Sequence, residues 1–242
     1  MTNYKTASDK SIFKARDLIK ERFGNTLFDF IDQYPLFACP QTMLRYHYIL
    51  SLLNSIHGVP GDICEFGTWK GATAVFAAKM LDEIEPQSNR KIIVFDNFCG
   101  LPKPSDEDGI NAVSQIGNYQ GDVDSLEYII DSFELSHRIE LIKGDANLTV
   151  KDYFEKNSHL LISLAYFDFD LYGPTVNAWN AIKKNMSESG ILSFDEGLDK
   201  ELWVGEYKAV KEIIDELRSS GKKFSVESNN ISRQPQVTLR LH

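Results

Sequence analysis

From residue 61 onward the chain is a succession of short apolar runs, each followed by a segment of helical composition. Residues 62–66 (DICEF), 91–95 (KIIVF), 139–142, 160–168 and 191–194 read as strands, and residues 72–84, 126–133, 175–185 and 208–219 as helices. Alternation of this kind predicts parallel strands side by side with helices crossing over on both faces. The tail differs. Residues 223–227 and 236–241 are strand-like, with period-two alternation in VTLRL and no helix between them, which predicts a hairpin and an antiparallel edge. The expected fold is a single α/β, Rossmann-like doubly wound sheet of seven strands, mostly parallel with an antiparallel C-terminal edge.

Residues 11–30 and 40–56 also read as helical, and Gly58, Pro60 and Gly61 then punctuate the chain. The expected organisation is a helical extension over residues 1–60, serving as a lid or a dimer face, ahead of a domain over residues 61–242. A homo-oligomer is compatible with that extension. One connection is long: after Asp96 about 25 residues rich in Gly, Pro, Asp and Asn precede the next helix. Loops of that size inside a compact domain are usually lids or disordered segments.

Charge and cysteine usage narrow the function. Lys and Arg number 26 against 35 Asp and Glu, a net charge of −9 with no long basic run, which argues against nucleic-acid binding. No apolar run reaches the roughly 18–20 residues of a membrane span, and the polar opening carries no secretory signal, so a cytoplasmic location is expected. Cys39, Cys64 and Cys99 are odd in number and lack CxxC spacing, which argues against a disulfide framework or a structural zinc site.

The chemistry-bearing residues gather at strand ends. In GDICEFGTWKGATA, Glu65, Gly67 and Gly71 sit where a strand passes into a helix. Glycine allows close backbone approach there, and a helix N-terminus offers free N–H groups. The spacing is E-x-G-x-x-x-G, not the dinucleotide fingerprint G-x-G-x-x-G. Asp96 closes the next strand, where a carboxylate can accept ribose hydroxyls. Further on, YFDFDLYGPT places Asp168 and Asp170 two apart, on one face if the backbone stays extended. GILSFDEG places Asp195 and Glu196 at the end of the following strand. Carboxylates converging at neighbouring strand ends raise a pKa or require a cation, and an all-oxygen set suits Mg²⁺ or Ca²⁺. None of the five histidines falls in these motifs, so a His-based triad has no support.

Together, EFGTWKG at 65–71, FDNFCGLP at 95–102, DFDLYGPT at 168–175 and the pair Asp195–Glu196 resemble the macrocin O-methyltransferase family. These are class I S-adenosylmethionine (SAM) enzymes that act on sugar hydroxyls of natural products and need Mg²⁺. The resemblance implies that Glu65, Gly67, Thr68 and Gly71 form the SAM loop, that Asp96 holds the ribose, and that Asp145 joins the cofactor-binding set. It implies Asp168, Asp195 and Glu196 as metal ligands and Asp168 and Asp170 as the catalytic pair, Asp170 being the general base or the group that orients the acceptor. The loop from Cys99 to about Asp122 becomes a mobile lid. The family usually has two Asp where this chain has Asp195–Glu196. Lys70, Trp203, Glu206, Tyr166 and Tyr172 stand beside these motifs with both structural and pocket-lining readings open. The implied reaction is Mg²⁺-dependent methyl transfer from SAM to a hydroxyl of a small acceptor, a sugar or sugar-bearing metabolite. N-methylation of a related small molecule is the alternative, and a nicotinamide-dependent oxidoreductase of similar fold is a more distant one.

Overall fold

A computed structural model describes residues 33–229, 231 and 234–242. The helix expected over residues 11–30 lies outside them. Seven strands form one sheet: β1 (Asp62–Phe66), β2 (Ile92–Asp96), β3 (Ile139–Lys143), β4 (Ile162–Phe167), β5 (Met186–Phe194), β6 (Phe224–Ser228) and β7 (Val237–Leu241). Their order is β3-β2-β1-β4-β5-β7-β6. The first five run parallel, and β7 lies antiparallel between β5 and β6. The strand order reverses between β1 and β4, which opens a crevice at the carboxyl ends of those strands.

Seven α-helices are described: α1 (Pro40–Ser55), α2 (Ala72–Ile84), α3 (Gly109–Ala112), α4 (Val123–Ser132), α5 (Ala146–Lys156), α6 (Tyr172–Ile182) and α7 (Val204–Ser219). They cover both faces of the sheet. Val150 and Phe154 of α5, Ala178 and Trp179 of α6, and Val210 and Ile213 of α7 pack with Phe66, Phe95, Phe167 and Phe194. On the opposite face, Leu52 and Leu53 of α1, Ala77 and Leu81 of α2, and Leu126 and Ile130 of α4 pack with Ile63, Val94, Leu164 and Tyr166. Among the described residues no helix is long and apolar enough to cross a membrane.

One row of side chains sets the height of the site. Phe95, Phe66, Phe167 and Phe194 are register partners on neighbouring strands, and their rings stack with centroids 5.4, 4.7 and 4.6 Å apart. The residues that follow them are Asp96, Gly67, Asp168 and Asp195. The ladder continues one step past the strands. Gly67 N donates to Phe95 O (2.9 Å), Asp168 N to Phe66 O (2.8 Å) and Asp195 N to Phe167 O (2.9 Å). The four positions therefore stand side by side along one rim.

Several element boundaries differ from those the sequence predicts. Helix α5 falls in a stretch with no helix expected, although Asp145 caps it and Val150 and Phe154 supply its buried i, i+4 pair. Helices α6 and α7 begin at Tyr172 and Val204, earlier than residues 175 and 208. Strand β4 ends at Phe167, so Asp168 and Asp170 lie beyond it. At Asp170 the backbone is not extended: φ is +64°, in the left-handed region. The long connection after β2 holds short helical turns and α3 rather than being structureless. Leu101 and Ala112 from it pack against Leu171 and Trp203. Asp108, 2% exposed, accepts from Tyr172 N (2.6 Å) through one oxygen and from Ser105 N and Oγ (2.7 Å each) through the other.

Candidate active site

A cavity of about 420 Å³ opens at the carboxyl ends of the strands. Gly67, Thr68, Asp96 and Asp145 line it from the β1–β2–β3 half of the sheet. Asp168, Asp170, Asp195 and Glu196 line it from the β4–β5 half. Six of the eight residues are acids, contributed by four separate strand ends.

On the first half, the backbone of the glycine turn grips Asp96. Thr68 N and Trp69 N donate to its Oδ2 (2.7 and 3.0 Å), and Phe98 N donates to Oδ1 (2.6 Å). A carboxylate accepts about four hydrogen bonds, so Asp96 is fixed in place with capacity left for a ligand hydroxyl. Gly67 has φ +89°, and a Cβ there would stand 2.2 Å from the carbonyl oxygen of Asp168. Only glycine lets the two strand ends come this close. The Thr68 hydroxyl is buried, with the Glu65 carboxyl beside it. Asp145 accepts from Asn147 N (3.0 Å) and Nδ2 (2.8 Å) at the N-terminus of α5 while lining the cavity. This set fits a SAM molecule: an acceptor for ribose hydroxyls and a bare backbone approach beside it.

Two residues expected in the cofactor loop do not line the cavity. Glu65 is 3% exposed within β1, and burial pushes its carboxyl up to about 8. Gly71, at φ +78°, caps α2 and abuts Leu126. Both support the turn from behind.

On the second half, Asp168 and Asp195 come together as expected, but around a guanidinium. Arg45 of α1 donates through Nη2 to Asp168 Oδ2 (2.5 Å) and through Nη1 to Asp195 Oδ2 (3.4 Å). The other oxygen of Asp195 accepts from Tyr166 Oη (2.5 Å) and from the Gln236 amide. Burial opposes a charge on Arg45, but Asp195, Tyr166 and Asp168 outweigh it and hold its pKa well above the ordinary value. Burial and then the neighbouring Asp195 push the Asp168 carboxyl up to about 7, against the pull of Arg45.

These carboxylates, as arranged, do not fit a divalent ion. Asp195 accepts from Tyr166 and Gln236 through one oxygen and from Arg45 through the other, and Arg45 occupies the gap between Asp195 and Asp168. Among the described residues no group of three or more His, Cys, Asp or Glu side chains is placed to hold a metal. Converging acids do demand a cation, and α1 supplies it.

Asp170 is set by Glu206. The Glu206 carboxylate is fully buried in the first turn of α7, and its oxygens accept from Asp170 N (3.1 Å) and Glu196 N (3.0 Å). One side chain thus ties together the turns that follow β4 and β5 and holds the left-handed backbone of Asp170. Burial, then Asp168 and Glu206, raise the Asp170 carboxyl well above its ordinary range. Tyr119, from the long connection, lines the same cavity. Burial, with Asp170 and Glu196 nearby, pushes its phenol up to about 12.

Trp203 lines the cavity, and Tyr166 is both sheet core and a partner of Asp195. The Tyr172 hydroxyl bonds Glu212 (2.8 Å) outside the cavity, and the Lys70 amine lies over the Trp69 ring (4.8 Å). Cys64 is buried and Cys99 exposed. Sequence reasoning missed Arg45, for which a signal existed. It lies three and four residues before Tyr48 and Ile49, on the face of α1 that goes on through Leu52 and Leu53 into the core, where a charge needs a partner.

Known proteins share this arrangement of elements. The sequence model of the macrocin O-methyltransferase (TylF) family matches residues 42–222. The mycinamicin III 3''-O-methyltransferase of Micromonospora griseorubida is 27% identical over 178 residues, 68% of this chain and 67% of that protein. The 8-demethyl-8-(2,3-dimethoxy-alpha-L-rhamnosyl)-tetracenomycin-C 4'-O-methyltransferase of Streptomyces olivaceus is 25% identical over 145 residues, 57% of this chain and 54% of that one. The solved structure of CalS11, a calicheamicin methyltransferase, superposes with a TM-score of 0.83 at 25% identity, covering 98% of this chain and 93% of that one. The chain belongs to the macrocin O-methyltransferase family and is a methyltransferase.

Proposed function

We propose that this protein transfers a methyl group from SAM to a hydroxyl of a sugar or sugar-bearing small molecule. The observation that carries the reading is a single cavity lined at once by Asp96 and the glycine turn and by Asp168, Asp170 and Glu196. The names of the relatives, which specify 3''-O and 4'-O methylation, support a sugar-type acceptor. On this reading residues 61–242 form the methyltransferase domain and α1 belongs to its helical cover.

Bound SAM supplies an electrophilic methyl on a positively charged sulfur. The chain does the rest by positioning, which dominates an in-line displacement. Asp96 accepts the ribose hydroxyls, Gly67 lets the backbone approach, and the Thr68 hydroxyl completes that wall. Asp170 takes the proton of the acceptor hydroxyl. Trp203 and Tyr119 shield the acceptor from water. Arg45 keeps Asp168 and Asp195 compensated, and no step in this scheme runs through a metal.

The test is transfer of labelled methyl from SAM to a panel of glycosides and nucleotide sugars, paired with calorimetric titration of SAM. Binding without transfer to any hydroxyl acceptor rejects the acceptor class. No binding at millimolar SAM rejects the cofactor.

A further inference from the structure

The acids that the family resemblance assigns to Mg²⁺ hold a guanidinium here, and the geometry of that substitution is specific. Arg45 reaches from α1 to touch both members of the pair. Nη2 lies 2.5 Å from Asp168 Oδ2, and Nη1 lies 3.4 Å from Asp195 Oδ2. Asp195 has no oxygen to spare on its other side, where Tyr166 and Gln236 donate to Oδ1. A cation entering from the cavity therefore reaches Asp195 through the oxygen that Arg45 engages, and Asp168 beside the oxygen that Arg45 holds. At contact distance the repulsion between an ion and the guanidinium opposes the attraction each has for the acids, so the two compete for the pair. The Arg45 side chain is 29% exposed and itself lines the cavity, so it has room to leave. Its backbone does not move with it. Tyr48, one turn on, is anchored through its hydroxyl to Ser193 Oγ and Thr238 Oγ1 (2.8 Å each).

We propose that Arg45 is the resident cation of the Asp168–Asp195 pair, and that a divalent ion binds those two carboxylates only by displacing it. The metal affinity of this site is then set by a residue on α1, outside the strand-end motifs. The inference rests on the reading of Asp168 and Asp195 as metal-directed acids, and the test separates the two.

Mn²⁺ binding is measured on the full chain by the loss of the free-ion electron paramagnetic resonance signal. The wild type, Arg45→Gln and Arg45→Lys are compared without SAM, with near-ultraviolet circular dichroism confirming the fold of each. Displacement predicts at least tenfold tighter Mn²⁺ binding in Arg45→Gln. Arg45→Lys should bind a few-fold tighter than wild type, since an ammonium cannot fork across both carboxylates. If Arg45→Gln does not fold, the comparison of Arg45→Lys with wild type decides by the same sign. Equal or weaker binding in the variants overturns the displacement idea while leaving these acids as a metal site. No uptake by any of the three proteins at millimolar Mn²⁺ removes the metal site itself, and the competition with it.

Discussion

Gly67→Ala tests the closest backbone approach in the site. Two costs apply together. An alanine held at φ +89° occupies a sparsely populated region, which costs about 1–3 kcal/mol. Its Cβ would stand 2.2 Å from Asp168 O and 2.9 Å from Asp168 C. Those are backbone atoms that no rotamer change can move, so β1 and β4 must part by roughly 1 Å or more to reach van der Waals contact. Overpacking of this kind costs a further ~1–3 kcal/mol. A destabilisation of about 4 kcal/mol corresponds to a fall in Tm of roughly 8–16 °C for a domain this size. Because the shift moves the glycine turn relative to Asp168, SAM affinity should fall with it. Scanning calorimetry and SAM titration on the purified variant measure both. A Tm within about 2 °C of wild type, with unchanged SAM affinity, would refute the claim that glycine is required here by contact with Asp168.

Three further outcomes are expected. Glu65 has its folded pKa raised from 4.5 to about 8, so its contribution to stability is fully present below the unfolded value and is lost as pH rises through about 8. The Tm of Glu65→Gln should therefore gain on that of wild type between pH 5 and 9, and parallel profiles would contradict it. Asp170→Asn should lower kcat by about 10²–10⁴-fold, as expected for a general base, and leave SAM affinity largely intact; full activity would exclude Asp170 as the proton acceptor. Asp108→Ala strips the partner from the Tyr172 N–H, at a cost of about 1–3 kcal/mol for a buried donor. Limited proteolysis should then cut between residues 99 and 122 faster than in wild type, and an unchanged cleavage rate would show that Asp108 does not secure the segment.

Much of the fold was legible because four of the five parallel strands announce themselves as apolar runs ending in Phe and then Gly or Asp. Asp96, Asp168 and Asp195 follow that rule, and their convergence is a consequence of strand order. The partners of those acids were not legible in the same way. Arg45 is separated from Asp168 and Asp195 by 123 and 150 positions, and Gln236 from Asp195 by 41. Local patterning marks a charge on a buried helix face but does not say which strand end it meets. Crowded carboxylates demand a compensating positive charge, and the guanidinium of Arg45 stands between two of them. Asp170 reached the cavity by a left-handed turn rather than an extended strand, because Glu206 captures its backbone N–H from α7. Helix α5 was missed because its buried set reduces to Ala146, Val150 and Phe154 while the apolar Leu148 stands exposed, which blurs the helical period.

The stacked phenylalanines carry a consequence for redesign. Phe95, Phe66, Phe167 and Phe194 are fully buried in mutual contact, so a change of ring volume at one of them is felt at the rim positions of its neighbours. Libraries aimed at a new acceptor would lose most of their members to misplacement if they sampled this tier. Diversity placed instead at Tyr119, which is 39% exposed, changes a wall of the cavity while the platform that carries the chemistry stays level.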